Sequence, residues 1–572
     1  MPYTNCKAHM EFVDVSALSD SSPEFPNADI GKLELLKADT AYPAYLISDL
    51  NSAVLDGSRV TLDEDTCIPL ISGISGEDGT FTTPPVLTIS FISPHTSAGI
   101  TLFFLDDYPA DIKVAWYDTY GQKIIEEEYV PDALTFLCRK QVENYGKIVI
   151  TFLKTRLPQQ RVKLRYIKYG MEIEWSGQQI QTASITEELD TTSATIPVGT
   201  CDIYVVDAAG EWDATNKSGI WKSIQKSQHV SMTEEVGTSE VPCGKFYIDT
   251  WQSGSNVVSF SLIDRMGIMD KTKFYGGKIY TGETAGEVID AIMADAGVTE
   301  YKVAEDVAAV QLYGHIPICT HREALQQVVF ACGAVAGCDR QGYISIRMPD
   351  RSTTSTIATD RKFMGTTVEM ADYVSGISIT YKSYSLQAEA SEIYNDVLPG
   401  GITTMELSEP YMPESITAEG GTVVAAATNY VTVSMDEAGT CVIKGRKYES
   451  QDITYTARVA VKDAGEVENI QSYEGGTLFN AERAKEVAER MLNYYQLRQI
   501  VSIRYLMQNE VAGNWVEVQN TEGSYAVTGI TQQTIDLTGG YIASATCRGY
   551  ATITVADYYA GMEIYAGERG LI

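Results

Sequence analysis

The sequence predicts a mainly β protein with an α+β insert: an N-terminal β-sandwich, then two further β units separated by a small α/β domain. Three observations lead there. The 35 Tyr, abundant Thr and Val, and only 18 Pro favour strands. Short alternating or apolar runs recur with turn signals between them through the first third of the chain. Two helices with complete capping signatures then stand between stretches that read as β again. At 572 residues the chain has room for about four domains, each able to bury a core.

The expected sandwich occupies 1–172. Its strands are read at Val86 to Ile92, Ile100 to Leu105, Ile112 to Tyr117, Lys123 to Tyr129, Ala133 to Cys138, Lys147 to Leu153 and Val162 to Tyr169. Tyr108-Pro109, Tyr120-Gly121 and Leu157-Pro158 supply turns between them. The polar stretch before them, with Pro23, Pro26 and Pro43, reads as loops and an early strand. Strands at Ile185 to Asp190, Asp202 to Asp207 and Lys245 to Asp264 then form a second β unit, 173–270.

The α/β insert, 271–350, follows. Thr284-Ala-Gly-Glu287 has capping-box spacing, with Val288, Ile289, Ile292 and Met293 on one face and Gly297 as the stop. Thr320-His-Arg-Glu323 repeats the box, followed by Leu325, Val328, Val329 and Cys332, with Gly333 closing. Asp339-Arg-Gln-Gly342 turns into the strand Tyr343 to Met348. The last unit, 351–572, reads as strands around a Gly- and Thr-rich segment near Gly400, Gly420 and Gly439. Asn480 then caps a helix over 481–497, and strands resume from Ile500.

Charge and cysteines narrow the function classes. With 43 Lys+Arg against 76 Asp+Glu, the net charge is −33, which argues against a nucleic-acid grip that must displace counterions. MPYTNCKAHMEF lacks the basic and apolar regions of a secretory signal, and no run approaches the ~18 apolar residues of a membrane span. The ten Cys form no CxxC pair, and only five His occur, so clustered zinc ligands are not expected. Cys332 and Cys338 come nearest in spacing, but a helix followed by a turn accounts for them. Free, buried thiols are the expectation.

No catalytic motif appears: no GxSxG, no HExxH and no phosphate-binding P-loop. No catalytic residue, cofactor or metal is expected. Adjacent acids such as Asp106-Asp107 or Glu126-Glu-Glu128 are commonplace in so acidic a chain. One candidate binding site remains: Asp106, Asp107, Tyr108 and Trp116 suit a sugar, by stacking on a ring face and accepting hydroxyl hydrogen bonds. The competing reading places Trp116 and Tyr117 on opposite faces of a sandwich strand. His315 and His321, which flank a helix start, read as cap or packing residues.

Four stretches carry a resemblance. Pro85-Val-Leu-Thr-Ile-Ser-Phe with Gly99-Ile-Thr-Leu, Val142-Glu-Asn-Tyr-Gly-Lys-Ile-Val-Ile-Thr-Phe and Lys163-Leu-Arg-Tyr-Ile-Lys-Tyr-Gly170 resembles the discoidin-like sandwich of prophage minor structural proteins. Ile185-Thr-Glu-Glu-Leu-Asp190, closing on Asp207 and on Phe260-Ser-Leu-Ile-Asp264, resembles the first barrel of tail hub proteins. The capped helices with Asp339-Arg-Gln-Gly342 look like that family's insert. Ala481-Glu-Arg-Ala484, Ala512-Gly513-Asn-Trp515 and Gly529-Ile-Thr-Gln-Gln-Thr-Ile-Asp-Leu537 resemble its second barrel.

The resemblance implies a structural, non-enzymatic protein of a phage tail tip or baseplate hub. It implies a trimer whose two barrels per subunit give six β units around a DNA passage. Partners would be tail-tube and distal-tail proteins, with the sandwich contacting a neighbour or a host-surface glycan. A carbohydrate-binding adhesin without a hub role is the alternative, and a cell-wall enzyme a third reading.

Overall fold

Strands before and after the insert join in one sheet. The computed structural model describes residues 4–26, 36, 70–216, 219, 221–224, 226–254, 256–459, 467–520 and 525–552. The expected loops around Pro43, together with Cys67, lie outside them. The described part is mainly β, as the alternation predicts. Its largest element is a 13-stranded sheet. The halves meet where Ile180–Glu188 pairs antiparallel with Tyr525–Asp536, Ile185 opposite Ile535. Ile185, Ile203 and Phe260 from one half share a core with Val501, Ile503, Val516 and Ile530 from the other. Two separate barrels were expected. Among the described strands the pairing instead runs as an open path, from Thr367–Met370 at one end to Gly170–Ser176 at the other.

The first strand, Thr4–Val13, belongs to this sheet rather than to the sandwich. It lies between His229–Val236 and Gly170–Ser176, with Ala8, Met10 and Phe12 alternating into the core. Phe12, Trp175 and Trp212 cluster there, ring centroids 4.8–6.4 Å apart.

The sandwich is a seven-stranded antiparallel sheet folded over a core that includes Leu87, Ile100, Val114, Trp116, Ile148 and Phe152. Four expected short strands are two long bent ones, Val86–Phe104 and Thr135–Thr155. The strand runs on through Ser93-Pro94-His95 as bulges, the register shifting between Ser90 and Gly99. Gly99 permits the bend: its φ is +141°, and a Cβ there would lie 2.3 Å from the Cys138 carbonyl oxygen.

The helices follow their caps. Ala285–Asp295 and His321–Cys332 each begin with a reciprocal Thr–Glu capping box, and Gly333 closes the second at φ +65°. Ala481–Tyr495 starts at Asn480, whose side chain accepts from the Arg483 amide. The insert was expected to have a small core of its own. Instead Ile289, Ile292, Leu325 and Val329 share one with Val487 and Met491 of the later helix and with Ile377 and Ile379 of the strand Gly376–Leu386.

The Gly- and Thr-rich segment folds into a separate β unit of two three-stranded sheets. Leu398, Val431, Val433, Cys441 and Ile443 form its core. Asn429, 1% exposed, attaches it to the insert, donating to the Gly277 and Ile316 carbonyls and contacting His315 Nε2 at 2.6 Å. Among the described residues no helix is long and apolar enough to cross a membrane.

Candidate functional site

Three of the four sequence-predicted site residues come together at one end of the sandwich, already paired. Asp107 accepts from Arg156 Nε at 2.8 Å and from Gln160 Nε2 at 2.6 Å. Asp106 accepts from Lys163 Nζ at 3.1 Å, and the Arg156 guanidinium lies 5.1 Å from the Tyr108 ring centroid. Trp116 is a correction. It sits on the strand Pro109–Tyr117, fully buried in the sandwich core, and offers no ring face to a sugar. Alternation explains this, since its neighbour Tyr117 faces outward under Lys147, 4.4 Å from the ring centroid. The histidines flanking the helix start are structural. His321 contacts Thr272 Oγ1 and Asp295 through its two ring nitrogens, and His315 meets Asn429.

A cleft of about 410 Å³ opens where the large sheet, the insert and the turn around Ala512 meet. Behind Glu187 and Arg340 of its lining runs a hydrogen-bonded network drawn from all three. Arg340, at the turn expected from Asp339-Arg-Gln-Gly342, makes a forked pair with Glu187 at 2.8 and 3.2 Å and donates to the Glu510 carbonyl at 2.7 Å. Gln533 donates to Glu187 and to the same carbonyl, and Tyr505 donates to Gln533. The Glu510 carboxylate, 1% exposed, accepts from Arg361 and Ser355.

The cleft is the joint at which sheet, insert and turn are tied together. No histidine lines it, and burial pushes the Cys243 thiol up to about 12 and Cys338 well above its usual value. Both are protonated at neutral pH and poor nucleophiles. Asp264, raised to about 6 by burial, caps Arg265–Met269 by accepting from Gly267 N and also accepts from Gly199 N. Glu187 and Arg340 fall in segments that carried the resemblance, but no role for them was legible. Only the fold brings such distant residues to hydrogen-bond distance.

The ends of the large sheet are a second feature. Thr367–Met370 pairs on one side with Gln499–Leu506 and, among the described residues, has no strand on the other. Val368 and Met370 on it are 53% and 61% exposed, and Met364 just before it is fully exposed. An end strand with apolar side chains in water is a template for another chain.

No family model and no curated protein match this sequence. Solved structures do. The 43 kDa tail protein of prophage MuSo2 from Shewanella oneidensis is 12% identical at a TM-score of 0.39, covering 66% of this chain and 95% of that one. The tail protein from Neisseria meningitidis MC58 is 11% identical at a TM-score of 0.40, covering 65% and 93%. Prophage tail protein gp18 from Listeria monocytogenes EGD-e is 9% identical at a TM-score of 0.35, covering 66% and 91%. These chains are what the protein is similar to; at such scores the likeness transfers no site or partner.

Proposed function

We propose that the protein is a structural component of a bacteriophage tail tip or baseplate, located in the virion tail and forming the central hub ring. The ring joins the tail tube to the distal tip and lets DNA pass. The observation that carries the reading is the large sheet. It fuses a β unit from each side of the insert into one body and, among the described residues, leaves an end strand unpaired on one side with Val368 and Met370 exposed. Such a body suits closed assembly by edge pairing and apolar seams. The order of resembling segments along the chain supports the same reading, with three copies supplying six β units.

The net charge of −33 fits a conduit, because an acidic inner wall repels phosphates and lets DNA move without sticking. The sandwich then contacts neighbouring tail proteins, since its candidate sugar residues are already paired with Arg156, Gln160 and Lys163. The mass of the full chain in solution tests the ring. A concentration-dependent trimer that binds tube protein is expected; a strict monomer at high concentration, with no affinity for tube protein, contradicts it. A glycan array with the full chain separates this role from an adhesin, for which a sugar-dependent signal is required.

A further inference from the structure

The face of the large sheet next to the sandwich brings together residues that the sequence holds far apart. His9 and Glu11 alternate onto one face of Thr4–Val13. Glu11 stands directly opposite Glu172 on the antiparallel neighbour Gly170–Ser176. Like charges opposite one another across a strand pair are destabilising, so this pair needs a cation between its carboxylates. Lys168, from the sandwich strand Lys163–Lys168, supplies one: its ammonium bonds Glu11 at 3.2 Å and also Glu172.

We propose that His9, Glu11 and Glu172 form a binding site for a divalent transition-metal ion such as zinc, for which the Lys168 ammonium is the built-in competitor. His9 Nε2 lies 3.8 Å from a Glu11 oxygen and 3.9 Å from a Glu172 oxygen. One ligand atom from each residue lies within 4.8 Å of the others. Two ligands on a tetrahedral zinc ion, each ~2.0–2.2 Å from it, stand about 3.3–3.6 Å apart, so His9 and the carboxylates need close by only a few tenths of an ångström. One imidazole and two carboxylates form a three-ligand set that leaves a position open, and nitrogen with carboxylate oxygen suits zinc or cobalt better than calcium. The side chains are 36%, 31% and 19% exposed, so an ion can enter. Binding would displace Lys168 from the carboxylates, and with it one tie between sandwich and sheet.

The experiment uses the full chain, stripped with chelator, titrated with zinc chloride by calorimetry and with cobalt chloride by visible absorption. The expected result is one ion per chain with a cobalt spectrum showing a nitrogen ligand. His9→Ala and Glu172→Gln should each abolish binding at that site, and Lys168→Met should tighten it about tenfold by removing the competitor. Thermal melts of each variant without metal check folding. Failure of the native chain to take up either ion overturns the proposal, whatever the variants do. Native uptake that survives both His9→Ala and Glu172→Gln unchanged overturns it equally, because the ion would then sit elsewhere.

Discussion

The two seams of the large sheet are built from different chemistry. At its junction with the insert and the later helix, arginines donate mainly to backbone carbonyls. Arg490 bonds the carbonyls of Thr191 and Thr192 and Arg340 that of Glu510, while Arg483 ties the later helix to the insert through the carbonyls of Ala331 and Cys332. At its junction with the sandwich, histidine and lysine face carboxylates. His95 contacts Asp14 at 2.8 Å and Asp20 at 3.0 Å, Lys168 holds Glu11 and Glu172, and Lys222 meets Glu143. Guanidinium groups keep their charge across all working pH, and a carbonyl acceptor cannot be protonated away, although Arg340 and Arg361 also hold the Glu187 and Glu510 carboxylates. Carboxylate pairs can be protonated. The inner seam, with its carbonyl acceptors, is therefore the less sensitive of the two to solution conditions.

Breaking the inner seam should have the largest effect. Arg340→Met leaves the Glu187 carboxylate with only Gln533 beside it and is expected to cost about 3–5 kcal/mol in urea unfolding of the whole sheet. An effect below about 1 kcal/mol would place Arg340 with exposed pairs instead. Trp116→Ala empties the centre of the sandwich and should cost about 3–5 kcal/mol there, with the large sheet unaffected. A sugar-stacking Trp116 would instead leave stability intact.

The large sheet has one titrating weakness of its own. Glu234 is fully buried, and burial with repulsion from Asp536 outweighs weak help from Thr4 and the Asn5 backbone, raising its carboxyl to about 8. The folded state thus holds a proton that the unfolded state has released. Stability is full below the usual carboxylate range near 4.5 and falls as pH rises through about 8. Each unit between costs about 1.4 kcal/mol at most. Glu234→Gln should flatten this fall, gaining about 2–4 kcal/mol near pH 9 and little near pH 5, measured by urea unfolding at both. Equal slopes for both proteins would contradict the assignment.

His95→Ala opens the outer seam and should cost less, about 1.5–3 kcal/mol. Proteases should then cut between sandwich and sheet before the sheet unfolds. Simultaneous loss of both would show that the two seams are equally rigid.

Local signals carried much of this into the sequence. Thr284 and Thr320 with a glutamate three residues on, and Asn480 ahead of an amphipathic run, place all three longer helices, because caps act within one turn. Lys123–Tyr129 appears where its alternation ends. Chain separation hid the rest. Thr4–Val13 has a strand's alternation, but nothing in it names His229–Val236 as its partner. The bulges after Ser90 fall where two short strands were expected to be separate, whereas the pairing with Thr135–Thr155 continues past them. The β unit around Asn429 was visible only as a Gly-rich interruption. For the candidate site, Asp106 to Tyr108 stand at a strand end as expected, but Arg156, Gln160 and Lys163 reach them only through the fold.

The hub assignment is tested most directly by electron microscopy of particles labelled through this chain. Label is expected at one site, the distal end of the tail tube, with threefold symmetry in averaged images. Label spread along the tube, on the capsid, or only on free protein would contradict it.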